Sequence, residues 1–364
     1  MGLTRENYYD SPRLSQSKLK TLLYGPKAFL ETEEPELFFE EKRHFVLGSA
    51  VDTYLTNIAE FNEKYYISHL AEKPSDVVKS ILYEVYSKAK DKIAEDETYK
   101  NLEFLKQEIM DSCESHGYYK NLKWETRVNK ILDFNDYWEE IVSSENKTIL
   151  SMEEAEIVSN IVRKIYTNQY TSKYFKDSTE DITILRQLPI EFEVKEVECK
   201  ALLDIVYIDH SNKTITPIDL KTIGESVKNF PESLRKRSYQ IQASWYVEAL
   251  YQWKENNEFK DYNILNFKFI VVSTTEDEEP IVFTCDESLL YIGKFGRDTL
   301  YLKGEVLGSY EGMKTYHRLS KIKGYIDLLD DYLYYMENGF SQDRLLREGQ
   351  DKLILDWSGI IPIE

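Results

Sequence analysis

Two aspartates and a lysine on neighbouring stretches of β-strand type are the first feature of this sequence that suggests chemistry. Residues 201–208 are apolar on both faces apart from Asp204, which is typical of a strand covered on both sides. A carboxylate in such a strand needs a partner, a proton or a metal ion. Residues 213–222 carry Asp219 and Lys221, whose side chains share one face because they are two residues apart. The three side chains are therefore candidates for one site.

A turn-forming tetrad, Asp-His-Ser-Asn at 209–212, separates the two stretches and predicts a hairpin. If the middle two residues of the tetrad form the tip, Asp204 faces Pro217, and Asp219 is its diagonal neighbour on the same face. Diagonal neighbours lie roughly 7–8 Å apart at Cα, and one divalent cation with its oxygen ligands can bridge such a gap. Because Pro217 cannot donate a hydrogen bond to the ladder, we also expect a bulge or bend there.

Paired carboxylates with a nearby lysine suit metal-assisted hydrolysis. Carboxylate pairs bind hard cations such as Mg²⁺ or Mn²⁺. Such a cation polarises a phosphoryl oxygen and activates water, and an ammonium group can orient that water and stabilise the charge of the transition state. An Asp-x-Lys triplet also occurs as an ordinary ion pair in a hairpin, so the triplet alone leaves both interpretations open.

A helix is predicted after the second strand, and it carries Gln242 and Tyr246 on one face because these residues are four apart. An apolar stripe along the same segment would bury the helix whatever the polar pair does. By itself the Gln-x-x-x-Tyr pattern is therefore equally compatible with a packed amphipathic helix.

A short basic cluster, Arg235-Lys236-Arg237, lies between the second strand and this helix. It stands out because the chain has a formal net charge of −19. That charge argues against a protein that coats duplex DNA by its overall charge, but it leaves room for a local basic channel. The cluster either binds phosphate beside the aspartates or lies in a solvated loop.

The N-terminal segment is also basic. Residues 12–30 predict a helix that is capped by Ser15 or Ser17 and ends near a Gly-Pro pair. The serine hydroxyls, together with Lys18, are candidates for contacts with the DNA backbone. Capping serines and a solvated lysine with no such role are the alternative.

Composition excludes several classes of protein. A hydrophobic content of 42% permits a sizeable core. The three cysteines show no CxxC spacing, predict a reducing compartment and are too few for a four-cysteine iron–sulfur cluster. Because no apolar run approaches the length of a membrane-spanning helix and the start lacks the apolar stretch of a signal peptide, we expect a cytoplasmic protein without membrane association.

Taken in order, these motifs resemble the PD-(D/E)XK nuclease superfamily. The closest branch is the RecB-like exonucleases of phages and prophages, which include RecE-type (exodeoxyribonuclease VIII-like) and lambda-type enzymes. The residues that carry the resemblance are Asp204, the Asp-Leu-Lys triplet at 219–221 and the segment from Gln242 to Tyr246. Weaker pieces agree in order, including the Ser-x-Ser-x-Leu segment at 15–19, and together they cover about two thirds of the chain.

The resemblance implies an α/β (α+β) fold with a restriction-endonuclease-like core, in which a central mixed β-sheet is flanked by helices. We expect N-terminal helices of this core over 1–74, a mostly helical insertion over 75–147, the catalytic core over 148–310 and a C-terminal helical extension over 311–364. Inside the insertion, residues 117–133 predict a turn followed by a strand or hairpin.

The resemblance also implies a role for each residue of the motif. The two aspartates would bind Mg²⁺ or Mn²⁺, and the main-chain carbonyl of Leu220 would complete the ligand shell. Lys221 would position the attacking water. Gln242 and Tyr246 would hold the scissile or a neighbouring phosphate, or support Lys221.

Two positions depart from the family pattern. Relatives carry a glutamate in the strand before Asp204, and the best alignment places Gln187 there, with Glu191 further along the same face. Asp52 stands in a Gly-Ser-x-x-Asp segment where relatives often have histidine. The chain would then use one metal ion, recruit Glu191 or Asp52 as a ligand, or be impaired in catalysis.

The resulting hypothesis is a metal-dependent exonuclease that hydrolyses phosphodiester bonds at the ends of linear duplex DNA, in phage-type recombination or replication inside a bacterial host. By resemblance alone, a homo-oligomeric ring and a single-strand annealing partner are expected. Two alternatives remain open: a catalytically impaired module of nuclease fold that binds DNA or protein, and a structure-specific endonuclease.

Overall fold

The structure is a computed structural model, and it describes residues 2–31, 43–70, 74–145, 147–301, 318–341, 353–356 and 359–362. The chain forms two compact units, one of residues 1–45 with 164–364 and the other of residues 46–163. We call them the sheet unit and the helical unit. The helical unit thus begins before residue 75, where the sequence placed the start of a helical insertion.

The secondary structure is mixed. The strands, in chain order, are β1 (Leu14–Ser15), β2 (Tyr65–Ile67), β3 (Thr148–Leu150), β4 (Ile182–Val194), β5 (Val197–Asp209), β6 (Thr214–Ile223), β7 (Asn263–Ile264), β8 (Lys268–Ser273), β9 (Ile281–Thr284), β10 (Arg297–Tyr301), β11 (Arg318–Ile322), β12 (Leu353–Asp356) and β13 (Gly359–Pro362). The helices are α1 (Gln16–Lys20), α2 (Pro26–Glu31), α3 (Arg43–Thr56), α4 (Ile58–Lys64), α5 (Asp76–Glu95), α6 (Lys106–Ser115), α7 (Trp124–Leu132), α8 (Asn135–Ser143), α9 (Met152–Thr167), α10 (Phe230–Lys236), α11 (Tyr239–Glu255), α12 (Glu287–Phe295) and α13 (Tyr325–Asn338).

A seven-stranded mixed sheet forms the centre of the sheet unit. Its order is β1-β5-β6-β8-β9, with β4 also paired to β5 and β7 paired to β6. The pairs β1–β5, β6–β7 and β6–β8 are parallel, whereas β4–β5, β5–β6 and β8–β9 are antiparallel. The expectation of a central mixed sheet flanked by helices is therefore confirmed.

Helix α11 is fixed on this sheet by its aromatic residues. The Trp245 indole is fully buried, lies edge-on to the Phe192 ring at 5.1 Å and donates from Nε1 to the Lys200 carbonyl at 3.1 Å. Every side chain from Gln240 to Tyr246 is buried. Because burying one large apolar side chain contributes about 1.5–3 kcal/mol, this packing holds the helix, and the polar groups on it, in a fixed place over the strands.

The hairpin between β5 and β6 has a longer loop than the sequence predicted. Asp209 pairs with Thr214, which leaves four residues in the loop. The Asp209 carboxylate accepts a hydrogen bond from the Asn212 amide at 2.9 Å, and Lys213 adopts a left-handed backbone with φ of +49°. This side-chain-stabilised turn shifts the register, so that Pro217 pairs with Val206. The expected pairing of Pro217 with Asp204 is wrong.

The helical unit contains α5 to α8 around its own apolar core, and it also contains the parallel pair β2–β3. The expected strand or hairpin within 117–133 is wrong, because residues 124–132 form α7. Val128 and Ile131 are buried on one face of that helix. Their spacing of three residues fits the helical period and not the two-residue period of a strand.

Part of the expected C-terminal helical extension is described. Helix α13 lies in it, but so do strand β11, which pairs with β10, and the antiparallel pair β12–β13, so the extension is not wholly helical. Residues 302–317 and 342–352 of the C-terminal part lie outside the described residues. None of the helices in the described ranges is long and apolar enough to cross a lipid bilayer.

Candidate active site

The two aspartates of the motif lie where β5 and β6 cease to pair. The last pair of residues is Ile205 with Ile218, and Asp204 and Asp219 are the next residue on each strand. Residues that face each other across two strands point to the same side of the sheet. Asp219 is 1% exposed and Asp204 is half-buried. The structure thus brings the two carboxylates to one face. They lie directly opposite each other, whereas the sequence predicted them as diagonal neighbours.

The main chain of Leu220 also faces this point. Its N–H donates to Asp204 Oδ2 at 3.0 Å. In an extended strand the N–H and C=O of one residue point toward the same neighbouring strand. The Leu220 carbonyl therefore points toward β5 and Asp204, on the side where the sequence expectation places it as a metal ligand.

The buried Asp219 carboxylate is held by two side chains. Gln242 Nε2 donates to Oδ1 at 2.7 Å, and the Lys221 ammonium lies 2.6 Å from Oδ2. Burial by itself would lower the pKa of Lys221, but the nearby Asp219 and Asp204 carboxylates outweigh burial and raise it. Lys221 is therefore a stable ammonium group beside the carboxylate pair.

Tyr246 completes the polar face of α11, one turn after Gln242. Its side chain is 8% exposed. Burial, followed by the Asp219 and Asp204 carboxylates, raises the pKa of the Tyr246 phenol well above its ordinary value. The hydroxyl thus stays protonated and can act as a hydrogen-bond donor. The sequence expectation that Gln242 and Tyr246 share a face toward the aspartates is met in geometry, while their roles in catalysis stay predictions.

Gln187 lies on β4 across from Asp204. The pairs on either side, Arg186 with Ile205 and Leu188 with Leu203, put Gln187 opposite the aspartate. The side chain is buried, and the backbone is left-handed with φ of +50°. A residue other than glycine in this conformation costs roughly 1–3 kcal/mol, and such strain clusters at functional sites. The residue opposite Asp204 in this register therefore carries an amide and not a third carboxylate.

The donor set fits a hard divalent cation. Carboxylate and main-chain carbonyl oxygens are the ligands that Mg²⁺ and Mn²⁺ prefer, and the two aspartates with the Leu220 carbonyl supply them. Within the described ranges, no group of three or more His, Cys, Asp or Glu side chains is placed to hold a metal ion. The pair Asp204–Asp219 thus offers two acidic ligands.

Glu191 does not join the aspartate pair. It pairs with Lys200 across β4–β5, four residues along the strand from Gln187, which is about 13 Å in an extended chain. Its carboxylate forms an ion pair with Arg13 at 3.4 Å. The hypothesis that Glu191 serves as a substitute metal ligand is therefore wrong on geometric grounds.

Asp52 lies on α3, in the helical unit. Its side chain is half-buried, and its main-chain carbonyl accepts from the Thr56 hydroxyl at 2.8 Å. The expectation that Asp52 acts as a metal ligand stays a prediction.

The predicted N-terminal contacts fall on a broken helical segment. Residues 12–30 form a short strand, α1, one turn of 3₁₀ helix and α2, instead of one helix. Ser15 caps α1 by accepting from the Lys18 amide at 3.3 Å, and its hydroxyl lies 3.0 Å from that of Ser17. The Lys18 ammonium lies 4.9 Å from the centre of the Phe29 ring. The capping role of Ser15 is confirmed, and contacts of these side chains with DNA stay predictions.

The basic cluster lies at the end of α10. Arg235, Lys236 and Arg237 are all exposed. Arg237 Nη1 donates to the Tyr239 hydroxyl at 3.4 Å, which brings this arginine to the start of α11. Phosphate binding by the cluster stays a prediction.

Two further residues belong to this region. The sequence marks Lys20 only as one of the basic residues of the N-terminal segment, and it gives Tyr239 no role. Lys20, at the end of α1, and Tyr239, at the start of α11, lie beside Lys221. The Tyr239 ring centre is 4.9 Å from the Lys221 ammonium and 5.6 Å from that of Lys20. No periodicity or spacing in the sequence connects residues 20 and 239, so only the folded chain reveals this group.

Three comparisons with known proteins yield one distant structural similarity. No family model matches the chain, and no curated protein matches it. Among solved structures, one from Eubacterium rectale that is described as a candidate exonuclease is similar over 80% of this chain and 80% of its own, with 14% sequence identity and a TM-score of 0.42. That similarity is too distant to carry an argument about function.

Proposed function

We propose that this protein is a deoxyribonuclease that uses Mg²⁺ or Mn²⁺ to hydrolyse phosphodiester bonds, acting as an exonuclease on the ends of linear duplex DNA. The observation that carries the chemistry is the convergence of Asp204, Asp219 and Lys221 on one face of the sheet, just beyond the last paired residues of β5 and β6. The preference for DNA ends, a role in phage-type recombination, a ring of subunits and a single-strand annealing partner rest on the family resemblance alone.

The metal would be held by Asp204, Asp219 and the Leu220 carbonyl. When bound, it supplies Lewis-acid polarisation of a phosphoryl oxygen and a more acidic water. The protein supplies position: Gln242 holds Asp219 Oδ1 and so fixes the rotation of that carboxylate. A fixed carboxylate presents its oxygens without having to reorganise during the reaction.

Lys221 acts as a fixed charge in this proposal. Its raised pKa keeps it protonated, so it orients water and stabilises negative charge on the phosphoryl group and does not act as a base. Tyr246, whose phenol also stays protonated, donates a hydrogen bond to a phosphate oxygen. Both groups are held by burial against the sheet, which keeps them oriented before the substrate arrives.

A second candidate function is a module of nuclease fold that binds DNA or protein without cutting. The observation in its favour is Gln187, a buried neutral residue opposite Asp204 in the strand register, at a position where a third carboxylate would strengthen cation binding. Fewer carboxylates lower the affinity of an oxygen site for a divalent cation.

The deciding experiment is a nuclease assay on linear duplex DNA with Mg²⁺ or Mn²⁺. Wild type is compared with Asp219→Ala, Lys221→Ala and the control Lys213→Ala, which changes an exposed lysine at the hairpin tip. We expect wild type and the control to degrade DNA, and each site variant to lose at least about a hundredfold in rate. Equal degradation by all four proteins indicates a contaminant and removes the catalytic claim.

Covalently closed circular DNA separates the two modes of cutting. An exonuclease leaves closed circles intact because they have no ends, whereas an endonuclease linearises them. Wild-type protein that binds linear DNA, leaves it uncut with both cations and is folded would favour the non-cutting module.

A further inference from the structure

Two lysine ammonium groups lie over a single aromatic ring next to the aspartate pair. Lys221 and Lys20 approach Tyr239 at 4.9 Å and 5.6 Å from the ring centre. The ring itself is held by stacking on Phe230, with centres 6.0 Å apart and planes inclined by 21°. Cations are attracted to the face of an aromatic ring, but this attraction is worth only about 0.5–2 kcal/mol, which does not offset two like charges in a half-buried setting.

The two lysines differ in whether a carboxylate lies close enough to balance their positive charge. Lys221 has the Asp219 carboxylate at 2.6 Å. Lys20 forms no ion pair among the described residues, and its ammonium donates to the main-chain carbonyl of Arg237 at 3.2 Å. Burial, followed by the charge of Lys221, lowers the pKa of Lys20 to about 8. The Asp219 carboxylate and the Arg237 guanidinium also act on Lys20 with opposite effects. Among the described residues, Lys20 thus has no carboxylate at ion-pair distance, and it lies near two other cations.

The backbone near Arg237 is built to keep this arrangement. Ser238 has a left-handed conformation with φ of +52°, between the end of α10 and the start of α11. This corner turns the Arg237 carbonyl toward Lys20 while the Arg237 guanidinium donates to the Tyr239 hydroxyl at 3.4 Å. A left-handed backbone is strained at any residue other than glycine, and it is kept only where contacts with the surrounding structure hold it in place.

We propose that Lys20 binds a phosphate group of the DNA backbone, next to the phosphate that is cut at the Asp204–Asp219 pair. This inference rests on the proposed function, because it assigns a substrate contact to the same site. A phosphodiester oxygen supplies the direct ion-pair partner that Lys20 lacks among the described residues, and Arg237, which bonds the Tyr239 hydroxyl, is placed to share the same anion. The contact is made to the DNA backbone and not to the bases, so it does not depend on the DNA sequence.

A purely structural role for Lys20 explains the observations less well. A lysine that served only to bond the Arg237 carbonyl would gain one charged hydrogen bond, worth about 1.5–3 kcal/mol, against a penalty of several kcal/mol for a desolvated charge. Removing the charge should therefore leave the fold at least as stable, while it weakens DNA binding. These opposite effects on stability and binding are what separate the two roles.

The test measures binding of a short fluorescein-labelled linear duplex by fluorescence anisotropy over a range of salt concentrations, with EDTA present so that no hydrolysis occurs. The variants are Lys20→Met, Lys20→Gln and Lys20→Arg. The glutamine keeps a neutral hydrogen-bond donor on the side chain, so it separates the loss of charge from the loss of polarity and remains informative if the methionine variant does not fold. Lys213→Met is the control for loss of one positive charge elsewhere.

We expect Lys20→Met and Lys20→Gln to bind about tenfold more weakly at low salt and to lower the slope of log affinity against log salt by about 0.9, the value for one lost phosphate contact. Lys20→Arg should keep the slope of wild type, as should Lys213→Met. Wild-type slope and affinity in Lys20→Gln, or no detectable binding by wild type, would overturn the proposal.

The outcomes also separate this inference from the proposed function. If wild type binds DNA with the expected slope change in the Lys20 variants but never hydrolyses it, the nuclease proposal fails and the Lys20 contact stands. If wild type hydrolyses DNA and the Lys20 variants bind as tightly as the control, only the Lys20 contact fails.

Discussion

A methyl group added at Gly293 provides a sharp test of how helix α11 is held. Gly293 lies in α12, where this helix packs against α11. A Cβ atom at this position would lie 2.0 Å from the main-chain oxygen of Gln240 and 2.1 Å from Ser244 Oγ. Ordinary contacts begin at 3.4 Å, so the two helices must separate by roughly 1 Å or more to admit the methyl group.

Neither contact atom can move aside easily. The Gln240 oxygen belongs to the backbone, and Ser244 Oγ already donates to that oxygen at 2.9 Å and lies 2.7 Å from the Leu290 carbonyl. Overpacking costs about 1–3 kcal/mol, and the backbone overlap places Gly293→Ala at the upper end. Since alanine gains roughly 1 kcal/mol over glycine inside a helix, we expect a net loss of about 2 kcal/mol in the free energy of unfolding.

Separation of the two helices should also displace the side chains that α11 contributes to the candidate site. Gln240 and Ser244 flank Gln242, whose bond to Asp219 is 2.7 Å long. A displacement of α11 by about 1 Å would break that bond, and a misplacement of this size can lower turnover about a hundredfold. The assay is urea unfolding together with nuclease rate on linear DNA.

Gly224→Ala is the matched control. A Cβ there has no atom within 4 Å, and no left-handed backbone conformation is required. We expect this variant to be unchanged or stabilised by about 0.4–1 kcal/mol. If Gly293→Ala proves as stable and as active as Gly224→Ala, the close contact of α11 with α12 does not position the site, and the reasoning is refuted.

Three further predictions concern the site itself. Gln242→Ala should lower the free energy of unfolding by about 2 kcal/mol, because the buried Asp219 carboxylate loses a charged hydrogen bond; urea unfolding that matches wild type would contradict this. Mn²⁺ at about 100 times its Kd should raise the free energy of unfolding of DNA-free protein by about 2.7 kcal/mol, with the gain lost in Asp219→Asn or with EDTA; an equal gain in that variant would place the cation elsewhere. The pKa of Lys20 is lowered from 10.5 to about 8 in the folded protein, so the unfolded chain binds more protons between these two values. The free energy of unfolding should therefore rise by roughly 3 kcal/mol across that pH window, relative to Lys20→Met. Parallel curves of unfolding free energy against pH for the two proteins would refute the shift.

Local pattern was enough to predict several features of the fold. Asp204 could be recognised as exceptional because it interrupts an apolar run, and residues two apart on a strand had to place Asp219 and Lys221 together. The helical spacing of Gln242 and Tyr246 likewise put both on the buried face of α11. The helix cap at Ser15 could be predicted for the same reason, since the Lys18 amide that it accepts from is three residues away.

Other features depended on details that local pattern does not contain. The register of β5 and β6 was misjudged because the Asp209 side chain builds a four-residue loop instead of a two-residue turn. A strand was expected where α7 forms. The spacing of apolar residues in a short segment is compatible with both a helix and a strand, and only the packing against other elements decides between them. The mixed sheet was expected, but the ion pair that removes Glu191 from the site depends on Arg13, which is remote in sequence.

The sequence by itself determined which groups could perform chemistry, because side chains two or four residues apart are oriented by the geometry of their own strand or helix. The tertiary structure alone decided what else stands beside them. Gln187 faces Asp204, and Lys20 meets Tyr239, through packing between segments that are far apart along the chain. Such contacts form only after the sheet and its helices have assembled, and no local period encodes them.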